Sequence, residues 1–316
     1  MEIILMFVLF SAGILLIIKG GDFFIDAAGW MSDVTGISKA VIGATLVSLA
    51  TTSPEYFVSL IATLKGLNDL SIGNAAGSLI ANLGIAFALL AFLAPARIHD
   101  RFYGIKGGVM IAAAALLWLF CLSGALSVAE ALVLLLLFVL FTLFNIRYSK
   151  DGEAHRPRTP TNPRDISTNV LKFVGGAAGV ILGSNLIVDN AQRIAALFGI
   201  SEAVIGLTVV AVGTSLPEIV TSVAAIVKKQ NALSIGNIVG ANILDATLIL
   251  ATGAFVSGGR LSVSASTVRV DLPVALLLML IAVLPTAIGK KIYRWQGALL
   301  LGLYALYLVY ITLLAG

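Results

Sequence analysis

The sequence contains the same segment twice. Displaced by 163 residues, Gly36-Ile37-Ser38 falls on Gly199-Ile200-Ser201, and residues 43–89 fall on residues 206–252 without a gap. Within that match Thr51, Pro54, Glu55 and Ser59 meet Thr214, Pro217, Glu218 and Ser222, and Ser71-Ile72-Gly73-Asn74 meets Ser234-Ile235-Gly236-Asn237. A chain built this way is restricted to two copies of one plan. What has to be found is the plan and how the copies face each other.

The plan is set by solvent. Only 11% of the residues are charged against 59% that are apolar, where a soluble domain carries about 25% charged residues, so a water-soluble globular fold is excluded. Apolar stretches lie near residues 3–28, 41–64, 72–94, 105–123, 126–146, 170–192, 203–227, 234–256, 270–288 and 295–315, each close to the roughly 20 residues that cross a bilayer as a helix. Only Glu2 precedes the first stretch and no small-residue cleavage site follows it, so that helix is expected to be retained rather than removed as a signal. Five spans per copy is an odd number, so the second copy enters the membrane from the opposite face and the repeats are inverted. The expected fold is an all-α membrane protein of ten transmembrane helices, arranged as two inverted five-helix repeats in which helices 2, 3, 7 and 8 are broken. Residues 1–146 form the first repeat, 147–168 a polar, Pro- and Arg-containing linker, and 169–316 the second repeat.

Orientation follows from the basic residues. Leaving out the helix-embedded Lys19 and Lys172, fourteen Lys and Arg fall on the side of the linker and four (Lys65, Arg193, Arg260 and Arg269) on the other. Basic loops stay in the cytoplasm, so the linker is cytoplasmic and both termini are extracellular, in a multi-pass protein of the cell membrane. The same rule accounts for the net charge of +4 without a nucleic-acid partner. A monomer is the simplest state for such a chain, with lipid and small inorganic cations as its partners.

Polar groups inside the apolar spans carry the chemistry. Glu55 and Glu218 each lie near mid-span, where an ionised side chain is expensive unless paired or bound to a cation, and the second, third, seventh and eighth spans contain no Lys or Arg. A bound cation is therefore the natural counter-charge. Pro54 and Pro217 each remove an intrahelical hydrogen bond and free backbone oxygens near Thr51 and Thr214. The third and eighth spans add Ser78, Asn82 and Asp245, and the repeat offset sets Asn82 against Asp245, so the two copies differ chemically at that position. Carboxylates with hydroxyl and carbonyl oxygens suit hard cations such as Ca²⁺ and, with fewer charges, monovalent ions. Three carboxylates can compensate one divalent ion or several monovalent ones in competition.

Other features read more plainly. Gly73, Gly77, Gly84, Gly236 and Gly240 have the spacing that lets membrane helices pack closely. Asp22, Asp26, Asp189, Glu130 and Asp271 sit toward span ends and are expected to be solvated there. His99 and His155 lie in charged loops, Cys121 in an apolar run, and the aromatic residues of the last span read as anchors and packing. No phosphate-binding loop, nucleophile with a base, or His cluster is present, so neither an enzyme nor an ATP-driven pump is expected, and no cofactor.

The segments GATLVSLATTSPE and GLTVVAVGTSLPE, each followed by a second segment containing Ser-Ile-Gly-Asn, resemble the two alpha-repeats of the calcium/cation antiporter superfamily, and within it the prokaryotic sodium/calcium exchangers. The resemblance extends from the first span through the tenth. It implies a central four-site cation cage and a transport cycle in which helices 1 and 6 slide past the other eight. By position it assigns Ca²⁺-binding roles to Glu55 and Glu218, hydroxyl ligands to Thr51, Thr52, Thr214 and Ser215, central polar roles to Asn82 and Asp245, backbone carbonyl ligands to Ser48 and Ala211, and a serine ligand to Ser78. Ala241 stands where the second repeat of the family carries the matching serine, and Ala50, Thr52 and Ser53 replace the usual Gly, Ser and Leu. The glutamine common at the helix break of the proton-coupled branch is absent. The resemblance thus implies antiport of Ca²⁺ against Na⁺ by alternating access. Coupling to K⁺ or H⁺ is the second reading, and a cation channel the alternative from another class.

Overall fold

The computed structural model describes residues 2–148, 162–197, 213 and 215–315. The chain is helical almost throughout: α1 (Glu2–Thr35), α2 (Lys39–Thr51), α3 (Ser53–Leu64), α4 (Asn68–Leu93), α5 (Tyr103–Cys121), α6 (Val128–Arg147), α7 (Pro163–Leu197), α8 (Leu216–Val227), α9 (Asn231–Val256), α10 (Thr267–Gly289) and α11 (Arg294–Ala315). Eight of the described helices are long and apolar enough to cross a membrane, and α2 and α8 are shorter apolar helices. Large apolar side chains face outward along their lengths, among them Ile4, Leu64, Ile146 and Leu171, as a lipid-facing surface requires.

The apolar stretch 41–64 is divided. Thr52 (φ −81°, ψ −1°) separates α2 from α3, with Pro54 in the first turn of α3. Proline is tolerated there because that turn's N–H groups have no partner within the helix. Ser215 has the same backbone (φ −87°, ψ 5°) ahead of α8, with Pro217 placed alike. Within α2, α4 and α9 the backbone widens into π turns at Gly43–Val47, Asn82–Phe87 and Asp245–Ile249. Two of these begin at the repeat-related pair Asn82 and Asp245.

α1 and α7 extend well beyond the apolar stretches that announced them. α1 has 34 residues and α7 has 35, about 51 Å at 1.5 Å per residue, against a hydrocarbon core of about 30 Å. Helical hydrogen bonding continues through polar residues, so composition marks the lipid boundary and not the end of the helix. α7 starts inside the segment read as linker because Asn162 caps it: its Oδ1 accepts from Asp165 N–H at 2.8 Å, with Pro163 at the first helical position. α6 is capped reciprocally, Glu130 accepting from Ser127 N–H at 2.8 Å while Ser127 Oγ accepts from Glu130 N–H at 3.4 Å. Glu130, read as a solvated edge acid, is therefore a capping residue.

Short extended pairings tie the halves together at both ends. β1 (Ala125–Ser127) pairs antiparallel with β2 (Arg260–Ser262) at one end, the strand end. Arg97 pairs with Lys291 at the other, which carries Tyr148 and is called the linker end. Arg260 is the repeat counterpart of Arg97, so the same kind of pairing recurs at opposite ends.

The buried apolar residues form two clusters. The larger is built mainly from α4, α5, α6, α9, α10 and α11 and contains no residue of α1 or α7. The smaller joins Phe24, Ile25 and Ala28 of α1 to Ile42, Val47, Ala225 and Leu233. α1 and α7 instead pack antiparallel on each other through glycines. A Cβ on Gly20 would lie 2.9 Å from Gly176 O and one on Gly176 2.8 Å from Gly20 O; Gly13 and Gly183 oppose each other in the same way, at 2.9 and 2.8 Å. Gly176 is the counterpart of Gly13 and Gly183 of Gly20, so the two contacts exchange under the repeat. Of the glycines singled out by spacing, Gly240 meets Ala44 O and Ser48 Oγ, and Gly84 meets Tyr304, whereas Gly73 and Gly77 meet no described neighbour within 4 Å.

Since backbone cannot yield as a side chain does, Gly20→Ala should destabilise the fold by about 1–3 kcal/mol, the usual cost of overpacking. Gly73→Ala should leave stability unchanged. Thermal unfolding in detergent, read for both variants, checks this.

Candidate functional site

The site forms where the two divided segments meet α4 and α9. Glu55 and Glu218 occupy the first turns of α3 and α8, where the partial positive charge of a helix N-terminus favours a carboxylate. Local sequence dictates this: the bend at Thr52 or Ser215 and the proline two residues on start a new helix, and the glutamate is its third residue. Ser48, Thr51, Thr52, Glu55, Ser78, Asn82, Ser215, Glu218 and Asp245 are all buried. Thr214 and Ala211, named with them by the sequence, lie outside the described residues.

Contacts cross between the halves. Thr52 Oγ1 donates to Glu218 Oε1 at 2.9 Å, Thr51 Oγ1 to Asn237 Oδ1 at 3.3 Å, and Asn82 Nδ2 to Asp245 Oδ2 at 3.4 Å. Asn82 and Asp245 are counterparts under the repeat, so the two copies meet here through the same position. The three buried carboxyl groups of the site are those of Glu55, Glu218 and Asp245. None of the three takes part in a described ion pair. Lys106, a buried lysine, is engaged by Asp100 at 2.8 Å.

Among the described residues, many of these buried atoms have no hydrogen-bond partner: both carboxylate oxygens of Glu55, Glu218 Oε2, Asp245 Oδ1, Asn82 Oδ1, Ser78 Oγ and Ser215 Oγ. All are oxygens. A buried acceptor without a partner typically costs 1–3 kcal/mol, more when charged, so a concentration of them needs a physical reason. A cation is one, because each of these atoms is a hard ligand. Among the described residues no group of three or more His, Cys, Asp or Glu side chains is placed to hold a metal by itself. Neutral hydroxyl and amide oxygens make up the rest of the donor set. Ser48 O, expected as a backbone ligand, already accepts from Thr52 N–H at 2.8 Å; Thr51 Oγ1 lies 3.3 Å from it, but with its one proton on Asn237 Oδ1 a lone pair of Ser48 O stays open.

A layer of supporting residues escaped the sequence reading. Thr221 Oγ1 donates to Pro217 O at 2.8 Å, so it must accept from Asn237 Nδ2 at 3.2 Å, which leaves Asn237 Oδ1 to receive Thr51. In the other half Asn74 Nδ2 donates to Glu55 O at 3.2 Å and to Ser59 Oγ at 3.0 Å, and Ser59 Oγ donates to Ser71 O at 3.1 Å. The signal was available in Ser-Ile-Gly-Asn, kept identical in both copies, since a polar residue kept inside an apolar span has to bond something. Ala241, counterpart of Ser78, is fully buried in α9 and contributes no side-chain oxygen.

Asn237→Leu should cost about 1–3 kcal/mol of stability by leaving Thr221 and Thr51 without their partner. Adding Thr51→Val should cost less on top of it than Thr51→Val costs alone, a coupling that a double-mutant cycle on thermal unfolding measures.

Comparison with known proteins gives a consistent picture. A family model described as "Sodium/calcium exchanger protein" matches residues 5–147 and 168–313. An inner membrane protein of Escherichia coli, YrbG, is 33% identical over 261 residues, covering 80% of each chain. The sodium/calcium exchanger MaX1 of Methanosarcina acetivorans is 29% identical over 343 residues, covering 96% of this chain and 97% of that one. Among solved structures, the sodium-calcium exchanger NCX_Mj, soaked with Na⁺ and Sr²⁺, superposes with a TM-score of 0.85 at 30% identity, over 97% of this chain and 99% of the other.

Proposed function

The chain belongs to the sodium/calcium exchanger family, and from that premise we propose that it is a secondary active antiporter exchanging Ca²⁺ for Na⁺ by alternating access. The observation that carries the proposal is the set of buried, unpartnered oxygens on Glu55, Glu218, Asp245, Asn82, Ser78 and Ser215. No described cation of the protein neutralises these carboxylates, and the ions that would do so are the transported ones. Glu55 and Glu218 supply the charge that Ca²⁺ requires. Thr51, Thr52, Thr214 and Ser215 add hydroxyl oxygens, with Ser78 and the carbonyls of Ser48 and Ala211 as further ligands, and Asn82 with Asp245 at the centre. With Thr51 donating to Asn237, Ser48 O keeps one lone pair for an ion beside the hydrogen bond from Thr52 N–H.

The architecture proposed is ten spans in two inverted five-helix repeats, 1–146 and 169–316, joined by the linker 147–168. It is supported by the reciprocal glycine contacts of α1 and α7, by matched bends at Thr52 and Ser215, and by the contact between counterparts Asn82 and Asp245. In this reading α2 and α3 together make the second span, and the linker end is cytoplasmic. α1 and α7 are the parts free to slide, since neither contributes to the larger apolar cluster. Binding follows from competition: three carboxylates are shared between one Ca²⁺ and a larger number of Na⁺, so occupancy by one displaces the other. If more than two Na⁺ exchange for each Ca²⁺, net charge moves and a membrane potential biases the rate.

Uptake of ⁴⁵Ca²⁺ into proteoliposomes under separate Na⁺, K⁺, Li⁺ and H⁺ gradients tests the proposal. A Na⁺ gradient should drive uptake. Equal uptake without any gradient would point to a channel, and uptake driven by K⁺ or H⁺ alone would replace the coupling ion. Glu55→Gln or Glu218→Gln should abolish uptake. Ca²⁺ at about 100 times its Kd should stabilise the parent protein by about 2.7 kcal/mol, and this gain should vanish in the same variants. Ala241→Ser should lower the Na⁺ concentration needed for half-maximal exchange.

A further inference from the structure

Two turns of the same build present lysines at opposite ends of the molecule. At the linker end, Lys228 closes α8 with its N–H on Ala224 O, Lys229 takes the left-handed conformation (φ 57°), and Gln230 N–H returns to Ala225 O at 2.7 Å. At the strand end, where Asn68 bonds Ser262, Lys65 closes α3 with its N–H on Ile61 O. Gly66 takes the left-handed conformation (φ 75°), and Leu67 N–H returns to Ala62 O at 2.9 Å. Each residue of one turn is 163 positions from its counterpart.

The lysines are offered alike, but they meet different surroundings. Lys228 Nζ lies 2.8 Å from Asp26 Oδ1 and 3.4 Å from Asp22 Oδ1, both on α1. Beside them the Gln230 amide sits over Gly29 of α1, 2.7 Å from where a Cβ would stand. The counterparts on α7 are Asp189 for Asp26 and the uncharged Asn185 for Asp22. Lys65 and Asp189 are both exposed and form no ion pair in this structure, and Leu67, counterpart of Gln230, is 51% exposed. Among the described residues, α1 is clasped at the linker end and α7 meets no such clasp at the strand end.

Inverted repeats that exchange conformations turn a transporter to its opposite face, and every contact made by one copy then passes to the other. We propose that Lys228 with Asp22 and Asp26, and Lys65 with Asp189, are positioning residues that clasp α1 and α7 in alternation and so set which side the ion site faces. This rests on the inverted-repeat reading above. Asp22 and Asp26 stand about 6 Å apart along α1, four residues at 1.5 Å each. Lys228 already bridges the two, so it can keep hold of one carboxylate while α1 shifts along its axis. Asn185 denies Lys65 a second carboxylate. The linker-end clasp is the stronger of the two and biases the resting protein toward the arrangement in this structure.

The test uses paired cysteines at Lys65 and Asp189, with Cys121→Ala removing the native thiol, and a bifunctional thiol reagent applied to the full-length protein in membranes. Cross-linking should be slow in that background. It should speed up about two- to fivefold with Lys228→Gln, the range expected for a partly exposed ion pair. Lys228→Arg should keep it slow, and the exchange of charges Lys228→Asp with Asp26→Lys should return it to the slow rate. A rate indifferent to Lys228→Gln would overturn the proposal, as would a charge exchange that fails to restore it. Cross-linking is read without ion flux, so loss of Ca²⁺ exchange with an intact cross-linking response would reject the transport reading and leave the clasps standing. Normal exchange with an unresponsive cross-link would do the reverse.

Discussion

Carboxylate oxygens buried without a counter-charge are the constraint around which this molecule is organised. A membrane interior offers no water to solvate Glu55, Glu218 and Asp245, and the described protein offers them no cation. The surrounding structure answers in part: the helix N-termini of α3 and α8 direct partial positive charge at the two glutamates, and Thr52 donates one hydrogen bond to Glu218. On the proposed reading the remainder is what the transported ion supplies, since oxygens fully satisfied by the protein would have nothing to give an ion. Exchange needs that incompleteness, because a site that binds one ion too well cannot release it to another.

The two bends at Thr52 and Ser215 are where sequence, backbone and site meet. Proline near the start of a half-helix makes the interruption inexpensive, and the interruption places a glutamate in the first turn. Asn74 and Asn237 then hold each half-helix against α4 and α9 through hydroxyls of the next turn. The supports are unequal: Thr221 has Val58 as its counterpart, so the relay from Thr221 through Asn237 to Thr51 starts from a hydroxyl that the first half lacks. On the proposed reading, this chemical asymmetry in a duplicated frame would let different ions share it unequally.

Much of this was legible in the sequence because an apolar solvent makes polar residues conspicuous. Glu55, Glu218, Asn82 and Asp245 stood out by being costly where they are, and the repeat paired them before any contact was known. What was hidden depends on three-dimensional approach. The π turns at Asn82 and Asp245 leave no mark in hydropathy. Gly13 and Gly20 are unremarkable until Gly183 and Gly176 are laid against them. The start of α7 at Pro163 was masked by polar composition, although Asn162-Pro163 with Asp165 is a legible capping signal. Asp22 and Asp26 were read as solvated edge acids, and their engagement by Lys228 needs two segments some two hundred positions apart in the chain to be brought together.

The contact between Asn82 and Asp245 bears on how such a molecule could arise. Were the halves separate polypeptides assembling as a dimer, the dyad would oblige them to present the same side chain at this point. Two aspartates would repel, and two asparagines would bring no charge. Fusion into one gene lifts that obligation, and mutation can then set an amide opposite a carboxyl where two equivalent positions face each other.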